Sequence, residues 1–129
     1  MMVRVPPDTP VPTAETADAD VTRYLRHLEV ERRMATNTLE AYQRDLSRLS
    51  AFAHASGRRI AVLQRPDLEA FVRGAMASGL APPSVARLVA ATRGLFKFLR
   101  LAGAVDANPA ADLQSPLALS SLPAFLPAT

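Results

Sequence analysis

The sequence predicts an all-α protein, a compact four-helix domain followed by a short fifth helical turn. Three observations carry that expectation. Apolar residues recur at i, i+3, i+4 and i+7 in four successive segments. No segment alternates apolar and polar residues as a half-buried strand does. Gly57, Gly79 and Gly103, with Pro66, Pro82, Pro83 and Pro109, fall where helices should stop and start.

Residues 1–17 hold Pro6, Pro7, Pro10 and Pro12 among small polar residues and read as a disordered leader. The folded domain should span 18–113. Its first helix is expected from Asp18 to Arg33, with Val21, Tyr24, Leu25 and Leu28 on one face and Asp18 and Asp20 near its positive end. Met34 to Thr36 connect to a second helix. There Asn37 and Glu40 read as a capping-box pair, and Leu39, Tyr42, Leu46, Leu49 and Ala53 form the stripe. Gly57 should end it, and residues 58–64 should run extended with apolar plugs. The third helix opens at Pro66 and buries Leu68, Phe71, Val72 and Ala75. The fourth starts at Pro82 and Pro83, reaches about Leu101, and buries Val85, Leu88, Val89, Leu95, Phe96 and Leu99. Asn108 and Pro109 cap and open the fifth turn, which reaches Leu113. Residues 114–129 carry no charge and three prolines, and read as a linker.

Charge is unevenly spread. Residues 21–105 hold thirteen Arg plus Lys97 against six acids, a net +8, whereas both flanks are acidic. A basic helical domain suggests a polyanionic partner, nucleic acid above all, and equally fits a solvated surface in a protein with fourteen Arg and one Lys. The absence of cysteine excludes disulfides and thiolate metal sites and is compatible with a reducing compartment. No apolar run approaches the roughly 20 residues that span a bilayer, so no membrane role is expected.

The fourth helix is the most informative. It carries Arg87, Arg93, Lys97 and Arg100 and no acid between Ser84 and Leu101. Exposed helices usually mix signs, because opposite charges four residues apart stabilise them slightly. Arg93, Lys97 and Arg100 share a face that suits a run of phosphates. The N-terminal residues Thr36, Asn37 and Thr38 of the second helix, and Ser84 of the fourth, suit capping and also phosphate binding. Gln43, Arg44, Ser47 and Arg48 lie off the second helix's stripe, where Arg and Gln can read base edges in a major groove. Asp45 is placed either to orient an Arg or to pair on the surface. Tyr42 lies on the stripe, with its hydroxyl at the rim. The candidate DNA-contacting set is therefore Thr36, Asn37, Thr38, Tyr42, Gln43, Arg44, Arg48, Ser84, Arg87, Arg93, Lys97 and Arg100. His27 and His54 have no metal-ligand spacing, and no Gly-rich phosphate loop, nucleophile elbow or carboxylate pair occurs, so neither metal nor cofactor is expected.

The segment Thr38-Leu39-Glu40-Ala41-Tyr42-Gln43-Arg44-Asp45-Leu46 resembles the N-T-L-x-x-Y-x-x-D-L signature of the core-binding domain of tyrosine recombinases of the Xer and phage-integrase family. Tyr24 to Leu28 is similar to that family's first helix. Ser84 to Leu99 is similar to its S-x-x-R-x-L-x-A-x-R-x-x-F-x-x-L helix, and Asn108-Pro109-Ala110 and Ser115-Pro116 to its closing turn and linker start. The resemblance covers most of residues 21–116. It implies a SAM-like helical domain whose second and fourth helices approach the major groove and clamp one face of duplex DNA during strand exchange. It also implies a synaptic tetramer of recombinase protomers as partner and a bacterial cytoplasm as location.

The family's chemistry needs an Arg, an H-x-x-R pair and a C-terminal Tyr nucleophile. His27 precedes Leu28-Glu29-Val30, His54 precedes Ala55-Ser56-Gly57, and the last tyrosine is Tyr42. This stretch is therefore expected to be non-catalytic, whether as an excised domain, a truncated gene product or a free-standing relative. The family linker is usually basic, whereas Leu117 to Thr129 is uncharged. Two other readings stay open, a free-standing DNA-binding regulator and a helical protein-interaction module.

Overall fold

In the computed structural model, backbone is described for residues 14–115 and side chains for residues 19–115. Among the described residues the fold is all-α, with helices α1 (Ala14–Val30), α2 (Thr36–Ala55), α3 (Arg65–Ala77) and α4 (Pro82–Leu101). None of these helices is long and apolar enough to cross a membrane. Residues 1–13 of the expected leader and 116–129 of the expected linker lie outside the described residues.

The four apolar stripes build one core. Val21, Tyr24 and Leu28 of α1 meet Leu46, Leu49 and Ala53 of α2, with Leu68, Phe71 and Val72 of α3. Helix α4 contributes Val85, Leu88, Val89, Leu95, Phe96 and Leu99, all buried. Burying one such side chain stabilises by about 1.5–3 kcal/mol. Helix α2 is central, packing against both α1 and α4.

Helix α1 departs from expectation at both ends. It begins at Ala14, inside the stretch read as leader, because no proline follows Pro12 to oppose a helix there. It stops at Val30 rather than Arg33. Arg33 takes the left-handed region at φ 51°, and the Met34 N–H then reaches back to the Leu28 carbonyl at 3.0 Å. That turn brings Met34 onto the core.

Helix α2 starts one residue before the expected cap. Ala35 is the N-cap, with no side-chain cap bond, so Asn37 and Glu40 do not form the expected capping box. The Leu39 N–H already donates to the Ala35 carbonyl at 3.0 Å, which places Asn37 at the second helical position. Its other end is as expected. Gly57 sits at φ 71°, the Arg58 N–H donates to Ala53 and the Gly57 N–H to His54, both at 2.9 Å. This is the double bond of a Schellman stop, which a Cβ would strain. Helices α3 and α4 end on the same pair of bonds around Gly79 and Gly103.

The connector between α2 and α3 is not simply extended. Residues Ile60–Val62 form a single 3-10 turn, and Ile60 and Leu63 plug the core. Helix α3 begins at Arg65 with Gln64 as N-cap, which moves Pro66 to the second position. The capping pair missing from α2 appears here, where an Asp67 carboxylate oxygen accepts from the Gln64 N–H at 2.8 Å.

The expected fifth helical turn is instead a pair of hydrogen-bonded turns. The Asn108 side-chain oxygen accepts from the Ala110 N–H at 2.9 Å, and the Leu113 N–H donates to Ala110 at 3.0 Å. The Asn side chain captures the backbone as an Asx turn and leaves no run of helical bonds. Ala110 and Leu113 are nevertheless buried and close one end of the core.

Candidate nucleic-acid interface

The interface candidates are organised by one ion pair. Asp45, in the middle of α2, is 1% exposed. The Arg87 Nε and Nη2 of α4 donate to its two carboxylate oxygens at 2.7 and 3.0 Å. This resolves the two sequence readings of Asp45: it holds an Arg and is not a surface charge. The hydrogen bonds to Asp45 raise the Arg87 pKa further above its ordinary value. Arg87 itself stays partly exposed, with 35% of its side chain accessible.

The pair ties the flank of α2 that faces α4 to the N-terminal half of α4. With about 100° per residue, Asn37, Arg44 and Arg48 lie within roughly 40° of one another on the solvent side of Asp45. All three are exposed. Thr38, half-buried, stands on the same flank, and Ser84 is half-buried one turn before Arg87. Asn37, Thr38, Arg44 and Arg48 thus lie along one flank of α2, and the Asp45 pair brings Arg87 of α4, one turn after Ser84, against that helix. Tyr42 is half-buried and packs against the core.

Other candidates fall elsewhere. Thr36 and Gln43 border a dip shared with Thr22, Arg26 and Glu29 of α1, and Gln43 also borders a second dip with Glu40, Arg44, Ser47 and Arg48 along α2. Arg93, Lys97 and Arg100 are exposed and share a face of α4, as expected. That face is turned from Arg87 by about 80–140° around the helix axis. Lys97 edges a cavity of about 330 Å³ lined also by Tyr24, His27, Arg32 and Phe98. Two basic surfaces result, the α2 flank with the neighbouring Arg87, and the outer face of α4.

Ion pairing engages only part of the arginine set, and exposed Arg59 and Arg73 are as unpaired among the described residues as the candidates are. Among the described residues, Arg58 pairs with Asp67, Arg65 with Glu69 and Asp112, and Arg23 with Asp20. Arg44, Arg48, Arg93, Lys97 and Arg100 have no such ion-pair partner among the described residues.

Residues 21–103 match the family model described as phage integrase, N-terminal SAM-like domain. The chain belongs to this family. Its SAM-like domain is therefore a tyrosine recombinase N-terminal domain. Among curated relatives, the tyrosine recombinase XerC of Xanthomonas campestris pv. campestris (strain B100) is 36% identical over 124 residues, covering 95% of this chain and 38% of the relative. XerC of Xylella fastidiosa (strain M23) is 40% identical over 107 residues, covering 81% of this chain and 36% of the relative. XerC of Pseudomonas aeruginosa (strain LESB58) is 36% identical over 111 residues, covering 85% and 37%. The chain thus spans little more than a third of the length of these recombinases. No solved structure matches it.

Within the SAM-like domain, three residues take roles that the sequence leaves open or does not show. Asp45 lies three residues after Tyr42 and four before Leu49, in register with the apolar stripe, and an acid in that register signals a buried partner. Arg58, just after the Gly57 stop, donates to both Asp67 oxygens at 2.8 and 2.7 Å and braces the start of α3. Gly94, in mid-α4, makes room for Tyr24. Only Asp45 carried a sequence signal.

Proposed function

We propose that this domain grips duplex DNA at a recombination site while the recombinase it belongs to exchanges strands. On this reading the grip is the surface where α2 and α4 meet at the Asp45–Arg87 pair, the α2–α4 cleft, with Arg44 and Arg48 on its rim, Arg87 on its wall, and Asn37, Thr38 and Ser84 as smaller polar contacts. The outer α4 cations Arg93, Lys97 and Arg100 extend the basic surface to neighbouring phosphates. Tyr42 supports the cleft from below, and Thr36 and Gln43 mark its far edge along α2.

The observation that carries this reading is that α4 bears Arg87, Arg93, Lys97 and Arg100 with no acid along its length, and that Arg87 is held against α2 by the buried Asp45. Unpaired Arg forks suit phosphate oxygens and base edges. An interaction module for another protein would gain little from an acid-free basic helix beside the exposed Arg44 and Arg48 of α2. On this reading the domain itself performs no chemistry and needs no cofactor. Its partners are duplex DNA and further recombinase protomers in a synaptic complex, inside a bacterial cytoplasm.

The test is a titration of the chain against duplex DNA at two salt concentrations. The expected slope of log K against log salt is about −0.9 per phosphate contact, summing to several contacts. Binding that ignores salt, or no binding at low salt, overturns the reading.

A further inference from the structure

We infer that Asp45 is a positioning residue for DNA recognition: it holds Arg87 by one edge of its guanidinium so that the other edge faces a pair of acceptors on the DNA. This rests on the reading of the α2–α4 cleft as the DNA grip.

The geometry supplies the argument. A guanidinium has five N–H groups in one plane, arranged as two usable edges. Arg87 spends its Nε and one Nη2 hydrogen on the Asp45 oxygens at 2.7 and 3.0 Å. No other described residue accepts from Arg87. The edge made by Nη1 and the remaining Nη2 hydrogen is therefore free, and the side chain is 35% exposed. Asp45 is buried to 1%, so it cannot itself meet a ligand. The free edge matches two coplanar acceptors, either two phosphate oxygens or O6 and N7 of a guanine.

Pre-positioning matters because a free Arg loses rotamer entropy when it binds. Arg44 and Arg48 are exposed and without ion-pair partners among the described residues, and they lose that freedom on contact. Arg87 has already lost it on folding. The buried carboxylate thus converts one cleft arginine from a diffuse charge into a fixed fork.

The proposal makes a prediction opposite in sign to simple electrostatics. Asp45→Asn raises the net charge by one and should tighten DNA binding if only charge matters. If Asp45 positions Arg87, the variant binds DNA more weakly, by roughly tenfold, at a temperature where it is fully folded. Arg87→Lys keeps the charge and one bond to Asp45 but has no second planar edge. It should melt cooperatively like the wild type and bind roughly tenfold more weakly. Running both variants on A·T-only and G·C-containing duplexes separates the acceptors. A loss on both duplexes points to phosphate, and a loss confined to the G·C duplex points to guanine.

Should Asp45→Asn fail to fold, the wild-type protein gives the same information by guanidinium NMR. The Arg87 Nη signals should shift on DNA addition while its Nε–H stays protected by Asp45. Wild-type binding with unweakened Asp45→Asn and Arg87→Lys variants, or with unmoved Arg87 Nη signals, overturns the inference and leaves the DNA grip standing. Absence of wild-type binding removes both.

Discussion

The Tyr24 hydroxyl occupies the space where residue 94 would carry a Cβ, so the α1–α4 contact requires glycine at 94. A Cβ there would overlap the hydroxyl and stand 3.1 Å from Cζ. Tyr24 is 5% exposed and its ring lies 5.6 Å from that of Phe98, so it has little room to yield. Glycine in mid-helix costs about 1 kcal/mol relative to alanine, and here the close approach of α1 explains it.

Gly94→Ala should therefore destabilise the fold, by about 1–3 kcal/mol, despite alanine's better helix propensity. In a Tyr24→Phe background the same change should cost much less, because the overlapping oxygen is gone. Urea melts of the four proteins give the coupling energy. A coupling near zero would show that Tyr24 does not dictate the glycine.

Alkaline stability should also depend on Tyr24. Burial, with Tyr42 nearby, pushes its phenol from 10.0 up to about 12. The raised value means that the neutral phenol favours the fold. Its contribution is complete below pH 10 and is lost as pH rises from 10 to about 12, by roughly 3 kcal/mol at the end. Tyr24→Phe should flatten this part of the stability–pH curve. Parallel curves for the two proteins between those pH values would contradict it.

Asp67 gives the acid counterpart. The Gln64 N–H and then the Arg58 guanidinium hold its carboxyl below the ordinary carboxylate value of 3.8. The depressed value means that the ionised form favours the fold. Its contribution is present above about pH 4 and fades as pH falls through the lowered value. Asp67→Asn should destabilise by about 1 kcal/mol at pH 7, the usual worth of a cap, and by much less at pH 2. Arg58→Ala should lower the melting temperature as well. A pH-independent difference between wild type and Asp67→Asn would exclude this account.

The chain should form no covalent adduct with DNA. Neither histidine heads an H-x-x-R pair, and the last tyrosine, Tyr42, is half-buried under the cleft. Incubation with a nicked suicide duplex, followed by denaturing electrophoresis, should show free protein only. A denaturation-resistant product would assign chemistry to these residues.

The four helices and their stripes were legible because amphipathic periodicity and Gly and Pro punctuation are local signals. Helix starts were less so. Ala35 caps α2 by backbone geometry alone, which leaves no side-chain mark, while Asn37 and Glu40 offer a capping-box pattern two residues too late. Arg33 takes a left-handed turn normally given to glycine or asparagine, so the end of α1 could not be read. For the candidate site, the cationic residues were visible and their grouping was not. Whether Arg87 shares a surface with Arg44 or with Arg93 depends on how α2 crosses α4, a tertiary fact. The Asp45–Arg87 bond spans 42 residues and decides it.

The central claim is that the α2–α4 cleft, and not basic charge in general, grips DNA. It is tested by comparing Arg44→Ala plus Arg48→Ala with Arg59→Ala plus Arg73→Ala. All four side chains are exposed and without ion-pair partners among the described residues, so the two variants lose equal charge and should both keep the wild-type melt. At about 0.15 M salt, charges beyond roughly 8 Å are largely screened, so diffuse attraction alone should not separate them. The account predicts that the Arg44/Arg48 variant loses about 1–3 kcal/mol of duplex binding per arginine, while the Arg59/Arg73 variant stays close to wild type. Equal losses from the two pairs would contradict it.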